Sequence, residues 1–447
     1  MKNFKNTFLA LLLASTSAIA SEDKGLSFKL DGVFDFNTVV RKQEAPEGGA
    51  LPGLSPNNDT YVFNSGANVN VKVSNELDGL KYGANIVLLT TAKGKTTPGY
   101  NGSYLFIESD DFGRFEAGSP FDAATKMQID GNENAVAASG TCWGGVVDSN
   151  PNQAYGFDIN VFDFYLSNFN SKNSVAPKRE TSRKISYYTP LIAGFKFGIS
   201  FIPDSTNSGA FERDEVDSYF SREVQYVNAG HVKKYNIRYG VTNAFAGGAS
   251  YEHKIDEAIA FKISATGEYG KALQEAFLAK SDAEYEIDPA IAKPKSPAPE
   301  DKLKLATLKG DNKIKDLLAY NIGASLAYGD FAFSASYGNL NQSFTSKALD
   351  SENKDTYFYG GAVAYTQGPI GVSLTYLAGS SKKNVFDSIA LGTEYKFLPG
   401  VITYGEVAYA WGSGKGHIIN ADKTAMAAAS DQKFSGLAGV LGLKVKF

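Results

Sequence analysis

Apolar and polar positions alternate with period two along much of this chain, and that alternation predicts β-strands with one apolar and one polar face. At the C-terminus Leu437, Gly439, Leu441, Leu443, Val445 and Phe447 share one face, with Lys444 and Lys446 on the other. Over 258–270, Ile259, Phe261, Ile263, Ala265 and Tyr269 oppose Lys262, Ser264, Thr266 and Glu268. Phe195, Phe197, Ile199 and Phe201 repeat the pattern, as do Tyr82, Ala84, Ile86 and Leu88. Tyr235, Ile237, Tyr239, Val241, Phe245, Ala249 and Tyr251 predict one parity held along a single long strand. Such a strand exceeds the roughly 5–6 residues usual in a soluble sheet, whereas strands of about 10 residues or more are ordinary where they cross a bilayer at a tilt.

The punctuation between these runs predicts the topology. Short turns fall at 75–79, 110–113, 190–194, 254–258, 329–330, 367–369 and 398–400. Longer polar connections fall at 42–59, 94–102, 119–182, 204–233, 271–316, 344–355, 380–385 and 412–433. Alternating short and long connections predict an all-β, antiparallel up-and-down barrel of about sixteen strands, with one tidy rim and one elaborate rim. A soluble sandwich or propeller would also alternate. The strand length, the charged polar faces and the aromatic last residue favour a transmembrane barrel, in which every backbone group is paired and no edge is left open.

The N-terminus sets the compartment. Lys2 and Lys5 precede the apolar run FLALLLA (8–14) and the small-x-small site Ala18-Ile19-Ala20, so residues 1–20 are expected to be a signal peptide cleaved before Ser21. The run is too short to cross a bilayer as a helix, which needs about 20 apolar residues, and no later segment supplies one. The mature chain, 21–447, is expected to be a single barrel domain. Composition agrees: 45 Gly, 25 Tyr and 30 Phe suit turns and aromatic belts, and one Cys, Cys142, cannot form an intramolecular disulfide. A formal charge of −4, becoming −6 once Lys2 and Lys5 leave, gives no reason to expect a nucleic-acid partner. His231, His253 and His417 lack ligand spacing, and Cys142 lacks a Cys or His partner that would suggest zinc. Gly94-Lys95-Thr96 lacks the upstream glycine of a phosphate loop. No enzyme, cofactor or metal site is expected.

Several landmarks together resemble the general trimeric porins of Gram-negative bacteria. Leu30-Asp31-Gly32-Val33-Phe34-Asp35 resembles the family's first strand, and the run from Phe112 to Gly118 (FGRFEAG) resembles the hairpin before its third loop. Ile185-Ser186-Tyr187-Tyr188-Thr189-Pro190, followed by Ala193-Gly194-Phe195, is similar to another family hairpin, and Phe447 is similar to the terminal signal read by barrel-insertion machinery. The resemblance covers about residue 26 to 447. It implies an outer-membrane location, a homotrimer embedded in lipid, and passive diffusion of small hydrophilic solutes and ions. A substrate-selective channel, or a surface antigen or adhesin anchored by its barrel, are the alternatives.

The resemblance also implies that the connection 119–182 folds into the barrel and narrows the pore. It carries Asp122, Lys126, Asp130, Glu133 and Asp148, and small residues at 135–140 and 144–145 that would allow close packing. Acidic loop groups would then face a basic wall across water, setting up a transverse field. Parity puts Lys29, Lys72, Lys184, Lys196 and Lys262 on lumen faces, with Arg41 and Arg114 near strand ends. The wall arginines of the family fall on Asn64, Ser119 and Tyr188, none of them basic, and the family's Pro-Glu-Phe-Gly-Gly signature is absent. Ion preference therefore stays open. The connection 271–316, rich in Pro, Lys and Glu, cannot bury a core and is expected to be a long solvated outer loop.

Overall fold

The computed structural model describes residues 26–43, 60–91, 99–138, 182–205, 222–228, 231–278, 305–306, 315–343, 355–381, 384–419 and 426–447. The expected signal peptide, Cys142, Asp148 and most of 271–316 lie outside these residues.

The first strands are β1 (Ser27–Gln43), β2 (Thr60–Leu77), β3 (Leu80–Thr91), β4 (Gly99–Ser109) and β5 (Gly113–Gly118). A short helix, α1 (Ala123–Met127), precedes β6 (Lys184–Tyr188) and β7 (Phe195–Asp204). There follow β8 (Arg222–Asn228), β9 (His231–Lys254), β10 (Ile259–Leu278), β11 (Leu305–Ala306), β12 (Leu317–Tyr328) and β13 (Phe331–Asn341). The chain closes with β14 (Thr356–Gln367), β15 (Ile370–Ser381), β16 (Asn384–Leu398), β17 (Val401–Ile419) and β18 (Met426–Lys446). β7 pairs directly with β9, and β10 with β12, so β8 and β11 are short additions alongside the ends of β9 and β10. The other sixteen strands are the staves of a closed antiparallel barrel.

Closure is made by β1, which pairs with β2 on one side and β18 on the other. Phe447 completes the seam: its N–H donates to the Gly32 carbonyl at 3.1 Å, and its own carbonyl accepts from the Gly32 N–H at 2.9 Å. Among the described residues the sixteen staves form a ring with no open edge at this seam. The tidy rim lies where the short connections were expected. Its hairpin at Asp78-Gly79 has φ of 50° and 79°, the left-handed pair that a two-residue turn between twisted strands requires.

Alternation gives the wall two faces. Leu105, Ile107, Ile185, Phe197, Ile199, Ile263, Ile322 and Leu441 are exposed on the outside. Ser186, Ser200, Ser264, Thr266, Ser334 and Ser373 are buried on the inside. An apolar outer band of this extent is costly in water, at about 25 cal/mol per Å², and costs nothing against acyl chains. Near the tidy rim aromatic pairs bridge neighbouring strands, Phe195–Tyr251 at 4.6 Å and Phe331–Tyr365 at 4.9 Å between ring centroids, as an interfacial aromatic belt does.

The single parity expected from Tyr235 to Tyr251 does not hold. Val241 and Ala244 are both buried while Phe245 is exposed, so the parity switches at Asn243, whose φ is 48°. The register against β10 shifts at the same place, between Tyr269 and Lys271. Two residues of β9 there oppose one of β10, a β-bulge that keeps the pairing and turns the following side chains to the opposite face. β10 also continues to Leu278, and β18 begins at Met426, so the sheet reaches further into those two connections than alternation suggests.

Candidate functional site

After β5 the chain turns onto the polar inner face of the barrel and runs along it. The Ser119 N–H donates to the Ser103 carbonyl at 2.8 Å, fixing the departure from the strand. Asp122 caps α1: its carboxylate accepts from the Thr125 N–H at 3.0 Å and the Thr125 hydroxyl at 3.1 Å. From there a series of wall residues holds the segment. Ala123 N–H donates to Ser200 Oγ on β7 at 2.8 Å, and Ile129 N–H to Ser264 Oγ on β10 at 3.1 Å. Ser334 on β13 donates to the Gly131 carbonyl at 2.8 Å, and the Asn134 amide donates to Ser325 Oγ on β12 at 2.8 Å. Val136 N–H donates to Ser373 Oγ on β15 at 3.0 Å, and Lys444 Nζ on β18 donates to the Ala137 carbonyl at 2.6 Å. Backbone groups covered by the wall would be costly if left unpaired, and the wall serines meet them.

Small residues let the two backbones approach. A Cβ on Gly323 would lie 2.1 Å from the Ile129 carbonyl oxygen, and one on Gly131 would lie 2.5 Å from the Gly360 carbonyl carbon. No larger side chain fits at either contact without moving the segment.

A charged cluster occupies the inner face of β2 to β5, beside the start of this segment. Arg114 Nε donates to Glu116 Oε1 at 2.7 Å, and its guanidinium also donates to Glu108. Lys126, projecting from α1, reaches the other oxygen of Glu116 at 2.5 Å, and Lys81 lies 3.9 Å from Glu108. Glu116 is only 1 % exposed; Arg114 of its own strand holds one of its oxygens, and Lys126 on the other ties the segment to the wall. Rings complete the packing: the Arg114 guanidinium lies 4.3 Å and Lys72 Nζ 4.7 Å from the centre of Phe106. Lys126 Nζ lies 5.2 Å from the centres of both Tyr104 and Tyr188. Burial pulls the Lys126 ammonium below its ordinary value, and the Glu116 carboxylate opposes that shift.

The structure thus brings together Lys72, Arg114, Lys126 and Tyr188 from the residues singled out in the sequence. Lys184 is buried and donates to the carbonyls of Pro120 at 2.6 Å and Ser182 at 2.7 Å, clamping the two ends of the connection. Asn64 lies in β2 opposite Asn37, and its side chain falls outside the described residues. Asp122 and Asp130 are buried rather than turned to the channel. Asp122 is the helix cap, and Asp130 accepts from the Gln128 amide at 2.5 Å. Glu133 is exposed, on the stretch next to Asn134.

Sequence reasoning missed Glu108, Glu116 and Phe106 as partners of Arg114, although Glu116 shares its inward parity on the same strand and Glu108 and Phe106 on the adjoining one. It also missed the serines that hold the segment. Their signal is a serine on the inner face of each of several strands, which is indistinguishable in sequence from ordinary wet-wall polarity.

Comparison with known proteins agrees with this architecture. A family model described as Gram-negative porin matches residues 7–290 and 301–415. An uncharacterized protein of Rickettsia bellii is 33% identical, with 97% of this chain and 95% of that protein covered. An uncharacterized protein of Rickettsia felis is likewise 33% identical, with the same coverage. Among solved structures, the anion-selective porin from Comamonas acidovorans superposes with a TM-score of 0.51 at 12% identity, covering 95% of this chain and all of that one, which is a likeness of fold. With its closed sixteen-stranded wall and a family match over most of its length, the chain belongs to the Gram-negative porins.

Proposed function

We propose that this protein is an outer-membrane channel through which small hydrophilic solutes and ions diffuse down their gradients. One observation supports the reading: hydrogen bonds run from residues 123–137 to polar wall groups from β7 to β18, as expected of a segment that takes up room in the lumen. The segment narrows a water-filled passage and leaves polar and charged wall groups beside it. Contacts of that kind are weak enough for solutes to leave as readily as they enter.

The finer features follow from the same reading. Residues 1–20 direct export, and Phe447, seated in the closing seam, presents the last strand to the insertion machinery. The protein sits in the outer membrane as a homotrimer. Purified protein added to a planar lipid bilayer is expected to give stepwise conductance increments of uniform size. Correctly folded protein that gives no increments would overturn the channel reading.

A further inference from the structure

The charged cluster beside the segment is unbalanced. Four cations, Lys72, Lys81, Arg114 and Lys126, share two contacting carboxylates, Glu108 and Glu116. Both carboxylates are held by Arg114, which leaves the lysines with less than a full counter-charge. Lys72 has no carboxylate within 4.0 Å among the described residues and rests on the face of Phe106, the ring that Arg114 also covers. The rings matter because they hold cations in position without neutralising them. Lys196, also on the inner face, approaches Tyr188 from β7 at 6.0 Å and adds a further positive charge nearby.

The side that should oppose such a wall does not. Asp122 has both carboxylate oxygens engaged by Thr125 and is fully buried, and Asp130 is 6 % exposed. Beside the cluster the segment offers the ammonium of Lys126, whose charge the buried Asp122 carboxylate offsets only in part. The exposed carboxylate Glu133 belongs to the stretch anchored further round, at β12 and β13. A basic wall is therefore met by another base, and the field there attracts anions instead of pulling opposite charges apart.

We infer that the Lys72–Arg114–Lys126 cluster is a docking point for oxyanions, the carboxylate or phosphate of a small solute, and that it gives the channel a preference for anions. The inference rests on the channel reading and deepens it. A passing oxyanion would meet Lys72, Arg114 and Lys126 over the rings of Phe106, Tyr104 and Tyr188, without having to displace a carboxylate from Lys72. Because Glu108 and Glu116 remain in place, the attraction is partial, which suits a site that must release what it binds.

The test is the reversal potential of the full-length protein in a planar bilayer across a potassium chloride gradient, with inorganic phosphate as the oxyanion probe. Chloride should be more permeant than potassium, and phosphate should reduce chloride current saturably. Lys72→Gln should lower the chloride-to-potassium ratio by about fivefold, the scale of one charge acting at contact distance. Glu108→Gln should move the ratio the opposite way, a gain that misfolding does not imitate. Lys254→Gln, at the tidy rim beyond the cluster, should leave it near the parent value. Uniform increments with a ratio at or below one, or a ratio indifferent to both Lys72→Gln and Glu108→Gln, would overturn the inference and leave the channel reading standing. Absence of increments from folded protein would overturn both.

Discussion

The inner wall of this barrel has two unlike regions. From β7 to β15 it meets the segment with serines and glycines, neutral and short at the points of contact, and a length of chain is fastened there through its backbone. From β2 to β5 it presents long charged side chains that pair with one another and with the Lys126 ammonium. The first region uses small size and hydroxyl groups to bring two backbones together, which charge would prevent. The second uses reach and charge, and close packing would bury the groups that a solute needs to meet. A polar face can therefore serve as a fastening or as a contact surface, and side-chain size decides which.

The largest effect should come from spoiling the fastening sterically. Gly323→Val places a branched side chain where the Ile129 carbonyl now lies, at a cost of about 1–3 kcal/mol if the wall holds its shape. The segment should lift off, with increased single-channel conductance and faster proteolysis of residues 119–138. Next comes the bridge between the two regions. Glu116→Gln removes the carboxylate shared by Arg114 and Lys126, and those cations are partly exposed, so solvent screening should keep the loss near about 1–2 kcal/mol. Chloride preference should rise, measured as reversal potential. Raising the pH acts on the same contact from the other partner. Because burial lowers the Lys126 pKa, its positive charge should be lost below the ordinary lysine range as pH rises, and chloride preference should fall in that interval.

Smaller effects test the fastening one contact at a time. Asp122→Ala removes the cap of α1 and should cost about 1 kcal/mol, seen as faster hydrogen exchange at the Thr125 amide. Ser373→Ala leaves the Val136 N–H without its partner and should cost about 0.5–1.5 kcal/mol, confined to exchange at that amide. Ser373→Ala should leave the reversal potential unmoved, whereas Asp122→Ala also removes a carboxylate that acts on Lys126 and should shift it slightly toward chloride.

Strands and turns were legible in the sequence because a lipid-facing wall forces strict alternation, and Asp78-Gly79 or Pro399-Gly400 mark a hairpin locally. The bulge at Asn243 was not legible, since Val241 and Phe245 suit an apolar face equally well, and only the shift opposite Gly270 shows which side each takes. Arg114, Lys72 and Lys126 could be singled out by parity and position. That Asp122 and Asp130 turn inward depends on where α1 begins and on which wall groups meet the chain, and a helix of five residues leaves little periodic trace. The serine contacts join residues far apart in sequence, such as Ile129 and Ser264, and pairings of that range appear only once the barrel has closed.

The central claim is that residues 119–138 occupy the lumen and narrow it. Replacing 123–136 with a short glycine-serine linker, and recording single channels from protein shown to be folded by its strand content, tests this most directly. Uniform increments distinctly larger than those of the parent are predicted. Increments of the parent's size or smaller would contradict the account.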